Sequence, residues 1–173
     1  MVATRMRDTA FKRVLRTMPL GTTVKIEGPS GDLTLQNNAA HTVVFLAGGI
    51  GITPFRSILC HAANEMLPHR IFLFYSNRRP EDAPFLDELQ ALEGKNQNYR
   101  LIATMTEMEK SQRSWQGEKS LISKELLSRY VKDAPPPIYY IAGPPKMVTG
   151  LHAMLTEIGI ADDDIRVEEF AGY

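Results

Sequence analysis

At 173 residues with 43% hydrophobic side chains, the chain is long enough for one complete α/β domain and part of another, and too apolar for a disordered tail. Twenty Lys and Arg balance twenty Asp and Glu, so net charge offers nothing to nucleic acid or to an anionic membrane surface. The lone cysteine, Cys60, excludes an internal disulfide and a cysteine-ligated metal or iron–sulfur centre within the chain, and no metal site is expected.

Met1 to Met6 is a short apolar-alternating start without the apolar core of a signal peptide. Asp8 or Thr9 then caps a predicted helix through Phe11, Val14 and Leu15, which Gly21 ends. Thr22 to Glu27 alternates like a strand, Gly28-Pro29-Ser30-Gly31 is a turn cluster, and Leu33 to Leu35 reads as a second short strand. Counting the alternating start at Met1 to Met6, three short strands and one helix cannot close a sheet, so residues 1–38 are expected to be the end of a β-domain, with Gln36 to Ala40 as linker. From residue 39 on, strands and helices alternate, which predicts a doubly wound parallel sheet of five strands. The strands are expected at Val43 to Ala47, Arg70 to Tyr75, Tyr99 to Thr104, Ile138 to Ala142 and Ile165 to Glu169. The helices are expected from Pro54 to about Met66, around Phe85 to Leu92, from Ser123 to Tyr130 and after Gly143-Pro144-Pro145. Cys60 falls on the first of these and is expected to be a buried thiol. Glu107 to Lys119 reads as a polar surface loop in which Trp115 is an anchor. No apolar run approaches the roughly 20 residues of a membrane span, and a cytoplasmic location is expected.

The stretch with chemical content is Thr42 to Leu59. Its apolar run suits a strand covered on both faces, and Gly48, Gly49 and Gly51 then let the backbone turn and approach a ligand. Thr53 is expected to cap the following helix with Pro54 at its first position, so loop amides and helix start converge on a phosphate-sized site. The spacing is neither Gly-x-Gly-x-x-Gly nor a P-loop. In a doubly wound sheet this turn and Gly143-Pro144-Pro145 should flank the switch in strand order, where ligands bind.

Three motifs resemble the ferredoxin reductase family, flavoenzymes that pass electrons between NAD(P)H and a one-electron carrier through FAD. They are Gly48-Gly49-Ile50-Gly51-Ile52-Thr53-Pro54, Ala142-Gly143-Pro144-Pro145-Lys146-Met147 and the terminal Val167-Glu168-Glu169-Phe170-Ala171-Gly172-Tyr173. The resemblance implies a pyridine-nucleotide domain over 39–173, preceded over 1–38 by the last part of a flavin-binding β-barrel. It implies that Gly48, Gly49, Gly51, Thr53 and Pro54 receive the dinucleotide pyrophosphate and lead to the nicotinamide. Gly143, Pro144 and Pro145 form the second wall, with Met147 beneath it. Ser76, Asn77 and Arg78 after strand two and Met105-Thr106 after strand three lie on the nucleotide side. Thr53, Glu168 and Phe170 are implied at the reacting centre, Phe170 over the flavin ring with Tyr173 as second candidate. Arg5, Arg7, Thr9 and Lys12 lie where the family meets FAD phosphates. NADPH-specific relatives carry Ser-Arg where this chain has Met105-Thr106, which favours NADH, while Arg78, Arg79, Arg113 and Lys119 lie on nearby loops. The sequence departs from the family at Ala142, where Cys is common, and it contains no Arg-x-Tyr-Ser strand. The implied partners are a nicotinamide dinucleotide and a separate ferredoxin-like or other electron-acceptor protein. A non-catalytic nucleotide-binding or docking module, or a fragment needing a flavin-binding half, is the alternative.

Overall fold

A computed structural model describes residues 3, 4, 6–28, 31 and 33–170. The chain falls into two compact units, residues 1–32 and 33–173.

In the first unit the described structure is one helix, α1 (Ala10–Thr17), whose Thr9 hydroxyl accepts the Lys12 amide at 3.3 Å, with an Arg13–Asp8 ion pair at 3.0 Å alongside. No residue of α1 is buried. The strand expected over Thr22 to Glu27 does not form: Val24 and Ile26 are exposed, and no described segment pairs with it. Alternation marks a strand only where a partner accepts its ladder. Arg5, Pro29 and Ser30 lie outside the described residues.

The second unit is a five-stranded parallel sheet, β1 (Thr42–Gly48), β2 (Ile71–Asn77), β3 (Tyr99–Met105), β4 (Pro137–Gly143) and β5 (Ile165–Glu169), in the order β3-β2-β1-β4-β5. The helices are α2 (Ile52–Asn64), α3 (Leu86–Glu93), α4 (Lys124–Val131) and α5 (Pro145–Glu157). Leu33 to Leu35, expected as a strand, is not one. Leu33 and Leu35 pack against the core of this unit, and Gln36 is held by Tyr140 through its amide (3.0 Å) and by His69 on its carbonyl (2.9 Å).

Period-two alternation sorts the core. Val43, Phe45 and Ala47 face α2 and α3, packing with Phe55, Leu59, Leu86 and Leu89. Val44 and Leu46 face α4 and α5, packing with Leu126, Leu127, Leu151 and Leu155. Every β1 residue is buried. Burial worth roughly 2 kcal/mol for each large apolar side chain holds β1 in place, and the glycine turn grows from its end. The open edge at β3 is closed by its own loop. Trp115 folds over Gly117 and donates to the Glu118 carbonyl at 2.9 Å, and that carbonyl accepts the Met105 amide at 3.0 Å. Trp115 is thus the loop anchor the sequence suggests. Cys60 is half-buried against Glu88, and burial pushes its thiol pKa up, as for an inert structural cysteine.

Candidate functional site

The crossovers from β1 to β2 and β3 run one way across the sheet, and β4 and β5 lie on the other side, so the switch in strand order falls between β1 and β4. Two glycine turns meet there. Gly48 at the end of β1 lies so close to Gly143 at the end of β4 that a Cβ on Gly143 would stand 3.3 Å from the Gly48 backbone. A Cβ on Gly51 would be driven into the Ala142 carbonyl and within 2.6 Å of the Gly143 nitrogen. A Cβ on Gly48 would meet the Met147 thioether, so Met147 does lie under the turn. The glycines bring two strand ends into backbone contact, and the space a Gly48 side chain would take is filled by Met147 and Pro144.

One expected detail changes. Gly49 to Gly51 forms a 3₁₀ turn that starts the winding early, α2 begins at Ile52, and the capping position is Gly51. Thr53 therefore does not cap the helix. Its hydroxyl lies inside the first turn and donates to the Ile50 carbonyl at 3.1 Å, and Pro54 is the third helical residue rather than the first. Across the switch, Pro144 precedes α5 and Pro145 opens it, where a missing N–H costs nothing.

β5 carries the C-terminal candidates to the same end. Glu168 pairs with Ala142 and Glu169 with Gly143, and the Phe170 amide donates to the Gly143 carbonyl at 3.0 Å with its ring half-buried against the core. On the other flank Ser76 pairs with Gly48. Asn77 is buried with its side-chain nitrogen lacking a partner among the described residues. Thr106 donates to the Asn77 carbonyl from both its amide (3.0 Å) and its hydroxyl (3.3 Å). Met105 is corrected: its side chain is fully buried in the core and cannot meet a nucleotide. The strand runs one residue further than expected, and Met105, paired with Asn77, takes the inward face. Thr9 belongs to the first unit, where it caps α1. Arg5 and Tyr173 lie outside the described residues.

The loop cations are engaged by carboxylates. Arg79 binds Asp82 at 2.6 Å, Arg113 faces Asp87 at 3.6 Å, and Glu107 holds both Arg78 (3.4 Å) and Lys110 (2.8 Å). The Lys110 contact keeps the Glu107 carboxyl below the usual carboxylate range. Glu107 was not apparent as a site residue in the sequence, and the Glu107 amide donating to the Arg78 carbonyl at 2.8 Å places it beside the loop after β2.

A cavity of about 630 Å³ opens between α4 and α5, lined by Ser76, Ile122, Ser123, Lys146, Met147 and Leu151 among others, a size and apolar character that suit a small organic ligand. Ile122 and Ser123 were not apparent as site residues from the sequence, whereas Lys146 stands in the Ala142–Met147 motif; the signal at Ser123 was its helix cap, whose hydroxyl accepts the Leu126 amide at 3.3 Å. Gly49 is the turn glycine whose Cβ position is open, with no atom within 4 Å, which fits the close approach of a dinucleotide, and Ser76, paired with Gly48, lines the neighbouring cavity. Among the described residues no group of three or more His, Cys, Asp or Glu is placed to hold a metal, and no helix is long and apolar enough to cross a membrane.

Comparison with known proteins agrees with this geometry. The family model described as "Oxidoreductase NAD-binding domain" matches residues 45–153. One component of the Na(+)-translocating NADH-quinone reductase of Yersinia pestis (strain Pestoides F) is 30% identical over 156 residues, covering 88% of this chain and 38% of the relative. The chain thus spans well under half the length of that relative. Among solved structures, the cytochrome b5 reductase domain of Ulva prolifera nitrate reductase superposes with a TM-score of 0.78 at 22% identity, over 94% of this chain and 64% of that one. The CS-b5R domains of human Ncb5or in an NAD+ form give 0.77 at 22% identity, over 92% and 46%. These structural likenesses establish a shared fold.

Proposed function

Because the chain belongs to the oxidoreductase NAD-binding domain family, we propose that it is the nicotinamide-dinucleotide-binding module of a flavin-dependent oxidoreductase, transferring hydride between NADH and FAD. The observation that carries this is the meeting of two glycine turns where β1 and β4 end at the switch in strand order, with the cavity beside them. The turn Gly48–Thr53 receives the pyrophosphate, and Gly143–Pro145 forms the opposite wall. Glu168 and Phe170, carried by β5 to the Gly143 end, orient the nicotinamide and keep water from it. FAD, when bound, supplies the conversion of hydride into single electrons, which pass to a separate ferredoxin-type or other acceptor. Residues 1–38 are proposed as the last part of the flavin-binding barrel, and the setting as the cytoplasm. The test is an anaerobic spectrum of purified protein before and after FAD, then NADH: bleaching of a bound flavin band is expected. A second reading, a nucleotide-binding module without flavin chemistry of its own, has support in the lack of any strand among the described residues of 1–32. A colourless protein that binds NADH would select it.

NADH is the proposed nucleotide over NADPH. Supporting this, Glu107 already neutralises Arg78 and Lys110, the cations that a 2′-phosphate would need after β2 and β3. Glu107→Gln is expected to strengthen NADPH binding about tenfold while NADH changes little, a difference of about 1.4 kcal/mol. Calorimetric titration of both nucleotides decides it, and equal affinities in the unaltered protein would end the NADH assignment.

A further inference from the structure

Tyr75 stands near the carboxyl end of β2, paired with Ala47 on one side and Ala103 on the other, its ring fully buried. Its hydroxyl lies 3.1 Å from the Gly49 carbonyl oxygen and 3.1 Å from that of Pro84. Burial pushes the phenol pKa up, so the group stays a neutral donor through the neutral range. A single proton thus serves two carbonyls, one in the glycine turn and one in the turn leading into α3.

Both turns are left-handed at the adjoining residue: Gly49 has φ 53° and Phe85 has φ 60°. Gly49 accepts that conformation for lack of a Cβ. Phe85 has no such freedom and is held by its surroundings. The Arg56 guanidinium lies 4.6 Å above its ring and is itself clamped by both oxygens of Glu88, at 2.9 and 2.7 Å. The phenol therefore sits where the glycine turn, α3 and, through Arg56, α2 are tied together.

A trans peptide points its C=O and N–H in opposite directions. The Gly49 carbonyl is turned toward the phenol on the α2–α3 face and also accepts the Ile52 amide. The Ile50 N–H, on the other side of that planar unit, is turned away from this face. We propose that Tyr75 is a positioning residue for the dinucleotide: its hydroxyl fixes the Gly49–Ile50 peptide so that the Ile50 amide faces the ligand, and it couples that turn to the start of α3. The inference rests on the nucleotide site proposed above.

The test compares Tyr75→Phe, which removes only the hydroxyl, with Tyr99→Phe. Tyr99 is a buried tyrosine of the same core whose hydroxyl has no partner among the described residues. NADH affinity is measured by calorimetry, and amide exchange is followed over 49–52 and 85–88. Tyr75→Phe is expected to bind NADH about tenfold more weakly and to exchange faster at both segments together, with β1 and β4 unchanged. Tyr99→Phe is expected to do neither. An NADH affinity within twofold of the unaltered protein and unchanged exchange would overturn the proposal, as would equal loss of affinity in both variants. If the unaltered protein binds no NADH, the nucleotide site itself is refuted. The exchange arm then stands alone, joint acceleration supporting the strut and its lack overturning it.

Discussion

Gly51→Ala is expected to destabilise the α/β unit by about 3 kcal/mol and to abolish the thermal shift that NADH confers. The residue has an ordinary helical φ of −60°, so nothing about its backbone demands glycine. The demand is steric. The new methyl would stand 2.5 Å from the Ala142 carbonyl carbon and 2.6 Å from the Gly143 nitrogen. Those atoms belong to β4, whose pairing with β1 runs from Thr42–Pro137 to Ala47–Ala142. They cannot retreat without opening that ladder. Gly49→Ala makes the contrast: no atom lies within 4 Å of its Cβ, and only the left-handed φ of 53° opposes it, a cost of about 1 kcal/mol. Urea unfolding of the two variants separates clash from conformation. Equal, small losses would show that the strand ends are not in contact.

The sheet was readable because unbroken apolar runs such as Val43 to Ala47 have few other uses than a strand buried on both faces. The meeting of the two turns at the switch in strand order followed, since glycine-containing turns ended two such runs. Failures came where a neighbour distant in sequence decides. Val24 and Ile26 alternate like a strand, but pairing needs a partner that the described chain does not place there. Thr53 has a capping residue's chemistry and follows a glycine turn, yet the 3₁₀ winding of Gly49 to Gly51 had already begun the helix. Met105 was read as the first residue after β3, but the strand runs through it and period-two alternation sets it on the same face as Ala103, in the core. Tyr75 looked like one more aromatic in an apolar run, because its partners at Gly49 and Pro84 are fixed only by the packed sheet. Glu107 carried no signal, since an acid in a polar loop acquires meaning only from the cations it holds.

Phe45→Ala is expected to be the most destabilising single truncation, at about 4 kcal/mol, with a fall in Tm of roughly 10 °C. The ring is fully buried at the centre of β1, stacked on Phe55 of α2 with centroids 4.4 Å apart and edge-on to Tyr140 of β4 at 5.3 Å. Its loss removes both aromatic contacts and leaves a hole between three elements that surrounding side chains cannot fill without leaving their rotamers. None of these contacts reaches the glycine turns. NADH affinity measured well below the melting point should therefore stay within about threefold of the unaltered protein, and a saturating excess of NADH should still stabilise the variant, by about 2.7 kcal/mol at a hundred times its Kd. Gly51→Ala should lose that stabilisation despite a smaller intrinsic penalty. If instead both variants lost affinity in proportion to their lost stability, binding would be following the fold as a whole, and the backbone contact at the β1–β4 switch would have no special part in holding the nucleotide.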